Sequence, residues 1–405
     1  MYYGWRIVAV AMLALGLSNG VASYSYGLLV LPMGNEFGAS RMEMMWGMTA
    51  GALAAVLISP TAGSLMDKRS ARLLFSVGAL CLAGALVLLS LSRNVWEFVL
   101  VFGSVMSVAS TLLGPLGANT LVTRWFSRHR GRALGIAAVG TSLGGLLVPL
   151  LFQTLIDAYG WRQASLLLAG VVLIVLLPPV LWIVRNRPED IGLQPDGETT
   201  VSSGRGATGA AASAELPNLM KDGAFWRISL AVGVLMAAFT AVLANLVPFA
   251  VGHGVAAKQA AFLVSAISVA GVSGKLLFSV FADRINLKWA LLAALMMAGL
   301  PMLLLVQFHS YWMMVVSAVS VGLASGAFLP AWGAILARIY GPLVFGRIMG
   351  RMQPVTIIMV MVTMPMTGYL FDLTGSYTAA FLVLAGAILV AIIGFLPLKV
   401  RGYGE

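Results

Sequence analysis

Two ten-residue stretches decide the fold: GSLMDKRSAR (63–72) and SVFADRINLK (279–288). Each follows a long apolar run, and each closes that run with an aspartate and basic residues. Asp67 aligns with Asp283 at an offset of 216. The same relation recurs between RGRALGIAAVGTSLGGLLVPLLFQTLIDAYGWRQA (130–164) and FGRIMGRMQPVTIIMVMVTMPMTGYLFDLTGSYTAA (345–380). There Gly131 pairs with Gly346, Gly135 with Gly350, Asp157 with Asp372 and Gly160 with Gly375, each offset by 215. Pro115 and Pro330 share that offset. A shared offset over four apolar segments is the mark of an internal duplication.

The composition names the solvent. The 405 residues are 60% hydrophobic and only 10% charged, with a mean hydropathy of +0.96. Soluble domains are about 45–50% apolar and about 25% charged. This chain has too little polar surface to face water, so the lipid bilayer is its expected partner. The 45 glycines suit close helix approach in a membrane. Cys81 is the only cysteine, which excludes an intrachain disulfide and a zinc cluster. The first apolar run, Ile7 to Pro32, is too long for a signal-peptide core and reads as a span.

Spans of about 20 apolar residues cross the hydrocarbon. Breaks at charge clusters and Gly/Pro turns predict twelve, at about 6–30, 44–65, 72–92, 96–122, 132–155 and 163–184, then 227–251, 260–282, 288–307, 311–337, 348–371 and 377–397. With both termini cytoplasmic, the inner segments hold 20 Lys and Arg and the outer segments 4, Lys275 completing the 25. That asymmetry orients the chain. It also explains the net charge of +11 without nucleic acid, because the basic residues lie in short loops. Residues 186–224 are rich in Gly, Ser, Thr, Pro and Ala and read as a flexible cytoplasmic linker. The expected organisation is therefore an all-α membrane protein: a six-helix half (1–185), the linker (186–224) and a second half (225–405). Halves related by an axis along the membrane normal place a substrate site between them, near the midplane.

GSLMDKRSAR resembles the G-x-L-x-D-R-x-G-R/K loop of the major facilitator superfamily, with Ser70 at the second glycine. The resemblance covers essentially the whole chain. A narrower resemblance, to the bacterial monocarboxylate-transporter-like branch that includes oxalate/formate exchangers, rests on three stretches. These are YYGWRIVAVAMLALG at the start, WFSRHRGRALGIAAVGTSLGG into span 5, and NRPEDIGLQPDG after span 6.

Lys275 stands apart on the residues alone. All 14 acidic residues fall in loops or at span ends, as do His129, His253 and His309. In VAGVSGKLLFSVFADR (269–284), Lys275 lies eight residues before Asp283, roughly 12 Å along a helix. An ionisable group at that depth costs about 2.5–3.5 kcal/mol and marks a functional site by default. Snorkelling to the interface is the competing explanation, but it belongs to helix ends. An anionic substrate supplies the negative partner that such an ammonium needs, and one cation favours a monoanion. The resemblance implies the same role, since Lys275 occupies the place of a substrate-binding arginine in the eighth span. The aspartate usual one turn earlier is Gly271 here, and the second cation of oxalate-type exchangers is missing from Met359, Val360 and Met361. With no Asp, Glu or His at that depth, Lys275 is also the candidate for proton coupling.

In the fold so implied, spans 1, 4, 7 and 10 line the central path. Asn19, Ser23 and Tyr26 share a face of span 1 at i, i+4, i+7. Thr111, Pro115 and Asn119 lie in span 4, Thr240 and Asn245 in span 7, and Ser325, Phe328 and Trp332 in span 10. Ordinary interhelical bonding and packing account equally well for these. Asp67, Arg69 and Arg72, with Asp283 and Arg284, are expected at a cytoplasmic gate.

The expected function is secondary transport of small monocarboxylates (lactate- or pyruvate-like), proton-coupled symport by alternating access, in a monomer spanning a bacterial inner membrane. A proton-driven drug exporter is the alternative, but it would need a membrane-embedded carboxylate for cationic drugs. A sensor or scaffold would need a signalling domain. No nucleotide motif in its context, metal cluster or Ser/His/Asp set points to an enzyme, and no cofactor is expected.

Overall fold

The structure is a computed structural model that describes residues 2–126, 129–194, 221–281, 286–340 and 345–398, without the side chains of Asp67, Lys68 and a few others. Among these residues it is entirely helical. Eleven helical stretches are long and apolar enough to cross a membrane. One of them, Arg132–Ile183, is 52 residues long, far beyond the ~20 a single crossing needs. It turns at Gly160, whose backbone (φ 77°, ψ 162°) is open only to glycine. Spans 5 and 6 therefore meet there, which makes twelve crossings.

The helices carry large apolar side chains outward: Leu57 is 67% exposed, Leu100 68% and Ile174 76%. In water such a surface would aggregate, whereas in lipid it is the solvated face. Exposed tryptophans gather at span ends. Trp46, Trp96, Trp182, Trp289 and Trp312 all lie within five residues of one, where the amphipathic indole suits the interface. Helix starts are capped locally. Ser40 accepts from Glu43 N at 3.1 Å while the Glu43 carboxylate accepts from Ser40 N at 2.8 Å, and Asn94 accepts from Glu97 N at 3.0 Å.

Two spans are not uniform α-helix. Span 1 (Gly4–Phe37) contains a π-helical turn at Gly20–Tyr24, and span 4 (Val95–Trp125) contains one at Phe102–Met106. Serine closes each turn. Ser25 Oγ donates to Gly20 O at 2.8 Å and Ser107 Oγ to Phe102 O at 2.6 Å, both five residues back. Span 4 breaks again at Gly114, where Pro115 opens a new helical segment.

The chain divides into two compact units, Met1–Thr200 with Leu243–Ser268, and Val201–Val242 with Val269–Glu405. In the first unit, span 1 packs on span 5, and span 3 meets span 6 at both its ends. Gly16, Gly140 and Gly144 bring the backbones of spans 1 and 5 into contact, a Cβ on Gly16 falling 2.9 Å from Gly140 O. The hairpin 243–268 joins this unit through equally close contacts. A Cβ on Gly27 would lie 2.8 Å from Ala244 O, and Ser265 Oγ donates to Leu146 O at 2.9 Å.

The three stretches that carried the branch resemblance meet at one end of this unit. Tyr2 Oη donates to the carbonyls of Trp125 (3.0 Å) and Gln194 (3.1 Å), and Tyr3 Oη to that of Ile183 (2.7 Å). Trp5 packs on Phe126 and lies under the Arg132 guanidinium. Asn186 accepts from Ala71 N at 2.6 Å and from Ser70 Oγ at 3.1 Å. The first residues of the expected linker are thus tied to the unit, because the Asn186 side chain accepts at the start of span 3 and the Gln194 carbonyl accepts from Tyr2. In the second unit, span 9 (Leu287–Gln307) packs on spans 10 and 12. Tyr340, at the end of span 10, donates to the Asp222 carboxylate at the start of span 7.

Candidate functional site

Lys275 lies early in the last third of the helix Ala257–Phe281 and is half-buried. Its surroundings follow from three glycines. Span 8 crosses span 10 (Tyr311–Tyr340) with backbone against backbone. A Cβ on Gly326 would collide with Gly271 O and lie 2.8 Å from Lys275 N, and one on Gly274 would collide with Leu323 O. Larger residues at 274 or 326 would push the helices apart. The partners rise together in number, 271 with 322 and 275 with 326, so the helices run parallel here.

Ser325 is on the same crossing. Its Oγ donates to Gly322 O at 2.7 Å and stands 3.4 Å from where a Cβ on Gly271 would be. A Cβ at 271 would meet that hydroxyl in ordinary van der Waals contact. Phe328 and Trp332 continue span 10 and are 2% and 3% exposed. The structure therefore brings Lys275 and Ser325 to one crossing, with Phe328 and Trp332 on the same helix.

Span 1 is arranged differently from its sequence pattern. The π turn inserts one residue, rotating everything after it by about 100°. Asn19 precedes the turn and donates to Leu15 O at 3.0 Å. Ser23 is half-buried. Tyr26 follows the turn and faces the core: it is fully buried, its hydroxyl donates to Met44 O, and its ring packs on Phe98 and Phe102. Tyr24, five residues after Asn19 and missed by the α-helical pattern, is half-buried and lies with Ser268 against Gly145. A Cβ on Gly145 would lie 2.6 Å from its ring. The sequence signal was Ser25 placed five residues after Gly20.

The remaining candidates are dispersed. Thr111 is buried and donates to Ser107 O at 2.8 Å, Thr240 donates to Met236 O at 2.8 Å, and Asn245 is 1% exposed. Asn119 and Pro115, beyond the break in span 4, are exposed. Arg69 is exposed, and Arg72 Nε donates to Val184 O at 3.0 Å, at the end of span 6. Asp283 and Arg284 lie outside the described residues, as does the side chain of Asp67.

Among the described residues no group of three or more His, Cys, Asp or Glu could hold a metal. A cavity of about 450 Å³ opens between spans 9 and 12, lined by residues such as Met296, Leu300, Leu382 and Leu389. Its lining side chains offer an anion no donor, and none of them is on span 8.

The comparisons with known proteins agree with this architecture. A family model described as the Major Facilitator Superfamily matches residues 8–277 and 228–404. The chain is 26% identical to monocarboxylate transporter 12 of Mus musculus over 422 residues, covering 98% of this chain and 86% of that protein. It is also 26% identical to monocarboxylate transporter 13 of Bos taurus, covering 97% and 88%. Among solved structures, a bacterial homologue of the human lysosomal transporter Spinster, inward-facing and unoccupied, superposes with a TM-score of 0.75 at 16% identity over 100% of both chains. A nucleoside transporter superposes with a TM-score of 0.76 at 14% identity over 98% of this chain and 99% of that one. These two share the fold alone. Twelve crossings, the matching halves and a family match over almost the entire length make this chain a multi-pass membrane transporter, not an enzyme, of the Major Facilitator Superfamily.

Proposed function

We propose that the chain carries small monocarboxylate anions, of lactate or pyruvate type, across an inner membrane by proton-coupled alternating access, both termini being cytoplasmic. The observation that carries the reading is the pairing of near-full-length similarity to monocarboxylate transporters with an amine at a span crossing. Lys275 supplies the charge for the carboxylate. Ser325, Asn19, Thr111, Asn119 and Asn245 are its polar companions in this reading, and Phe328 and Trp332 its aromatic ones. The repeats 1–185 and 225–405, joined by 186–224, are taken as the moving parts, with Asp67, Arg69, Arg72, Asp283 and Arg284 at the gate.

Coupling follows from having an amine and not a guanidinium. An amine can take up a proton with the substrate anion and give it up afterwards, so that the loaded carrier is neutral at the site. Uptake of a labelled acid panel into proteoliposomes, with and without an inward proton gradient, tests the reading. Accumulation of one or more monocarboxylates driven by the gradient is expected. An inert response to every acid would defeat it.

A further inference from the structure

Three of the ten tryptophans are buried among the described residues: Trp125, Trp161 and Trp332. The first two have acceptors. Trp125 Nε1 donates to Arg185 O at 3.4 Å and Trp161 Nε1 to the Glu36 carboxylate at 2.6 Å. Trp332 Nε1 is wholly enclosed and has no acceptor among the described residues. A buried serine can turn its hydroxyl to a carbonyl of its own helix, as Ser165 and Ser229 do. A rigid indole in a helix cannot. A buried donor left unmet is costly and calls for a partner.

The position of Trp332 says where that partner comes from. Trp332 is seven residues after Ser325, two helical turns less about 20°, so the two share a face of span 10. The Ser325 hydroxyl borders Gly271, and that face therefore borders span 8. Gly326 is level with Lys275, and Trp332 lies six residues, about 9 Å, further along the axis. Side chains on parallel helices lean the same way, so the offset carries over to the two polar groups. Two hydrogen bonds of about 2.8 Å and the oxygen-to-oxygen reach of a three-carbon acid fill about 9 Å.

We propose that Trp332 Nε1 donates to a second oxygen of the substrate, a keto or hydroxyl oxygen apart from the carboxylate held at Lys275. The proposal rests on the monocarboxylate reading above and makes Trp332 a specificity-determining residue. It separates oxo and hydroxy acids from plain alkanoates, which leave the indole unmet.

Trp332→Phe keeps an aromatic ring and removes the donor. In proteoliposomes the full-length wild type should prefer pyruvate and lactate to propionate. The variant should lose about tenfold of that preference through KM, the worth of roughly one hydrogen bond. Thermal unfolding of the purified protein gives the second readout. Without substrate the variant should lose only the packing of the smaller ring, and the shift in melting temperature produced by pyruvate should shrink. An unchanged pyruvate-to-propionate ratio overturns the role. So does a pyruvate-induced shift in melting temperature as large in the variant as in the wild type. Wild-type protein inert toward every acid defeats the functional reading itself and this role with it.

Discussion

A Cβ placed on Gly326 would lie 2.8 Å from the backbone nitrogen of Lys275 and on top of Gly271 O. The approach of the backbone at Lys275 to span 10 is therefore set by a glycine on that helix. Gly326→Ala should strain the crossing, at an overpacking cost of about 1–3 kcal/mol, and lower transport. Gly386→Ala, with nothing within 4 Å of the new methyl, is the matched control. Melting temperature in detergent and initial uptake rate would check both, and equal behaviour of the two variants would remove the crossing from the account.

Lys275→Ala and Lys275→Gln should abolish carboxylate transport while the protein still inserts. Lys275→Arg separates charge from proton exchange, because a guanidinium stays charged throughout the physiological range. It should retain anion exchange, lose net uptake driven by a pH gradient, and bind with little pH dependence. Paired exchange and net-uptake assays decide the matter. Wild-type net uptake in the arginine variant would put the proton elsewhere.

Tyr26 tests the effect of the π turn. Its hydroxyl meets Met44 O inside the first unit. Tyr26→Phe should therefore cost about 1 kcal/mol of stability and leave KM unchanged. A raised KM at wild-type stability would return Tyr26 to the substrate path.

Arg162 clamps three span ends. Its Nε and Nη2 donate to Glu36 at 3.1 and 2.7 Å, and Nη1 donates to Ser90 O at 2.6 Å and Ser92 O at 2.8 Å. Both partners are more than a third exposed, so solvent screens the ion pair. Arg162→Ala should destabilise by about 1 kcal/mol, mostly through the carbonyls. Glu36→Gln should do less, and the wild-type melting temperature should depend only weakly on salt.

Much of the fold was legible because the bilayer imposes one dominant rule, that a crossing needs a long apolar helix. The twelve spans, the repeat offset and the turn at Gly160 all follow from patterns local to the chain. Lys275 was legible for the same reason, since a charge inside an apolar run is conspicuous without knowledge of its neighbours. Three further features were decided only by packing. The face of Tyr26 depends on a π turn that Ser25 and Gly20 make together, and a period of 3.6 cannot anticipate it. The glycines at 274 and 326 look like any others until two helices cross on them. The unmet donor of Trp332 exists only in three dimensions, because an acceptor is supplied or withheld by residues distant in sequence.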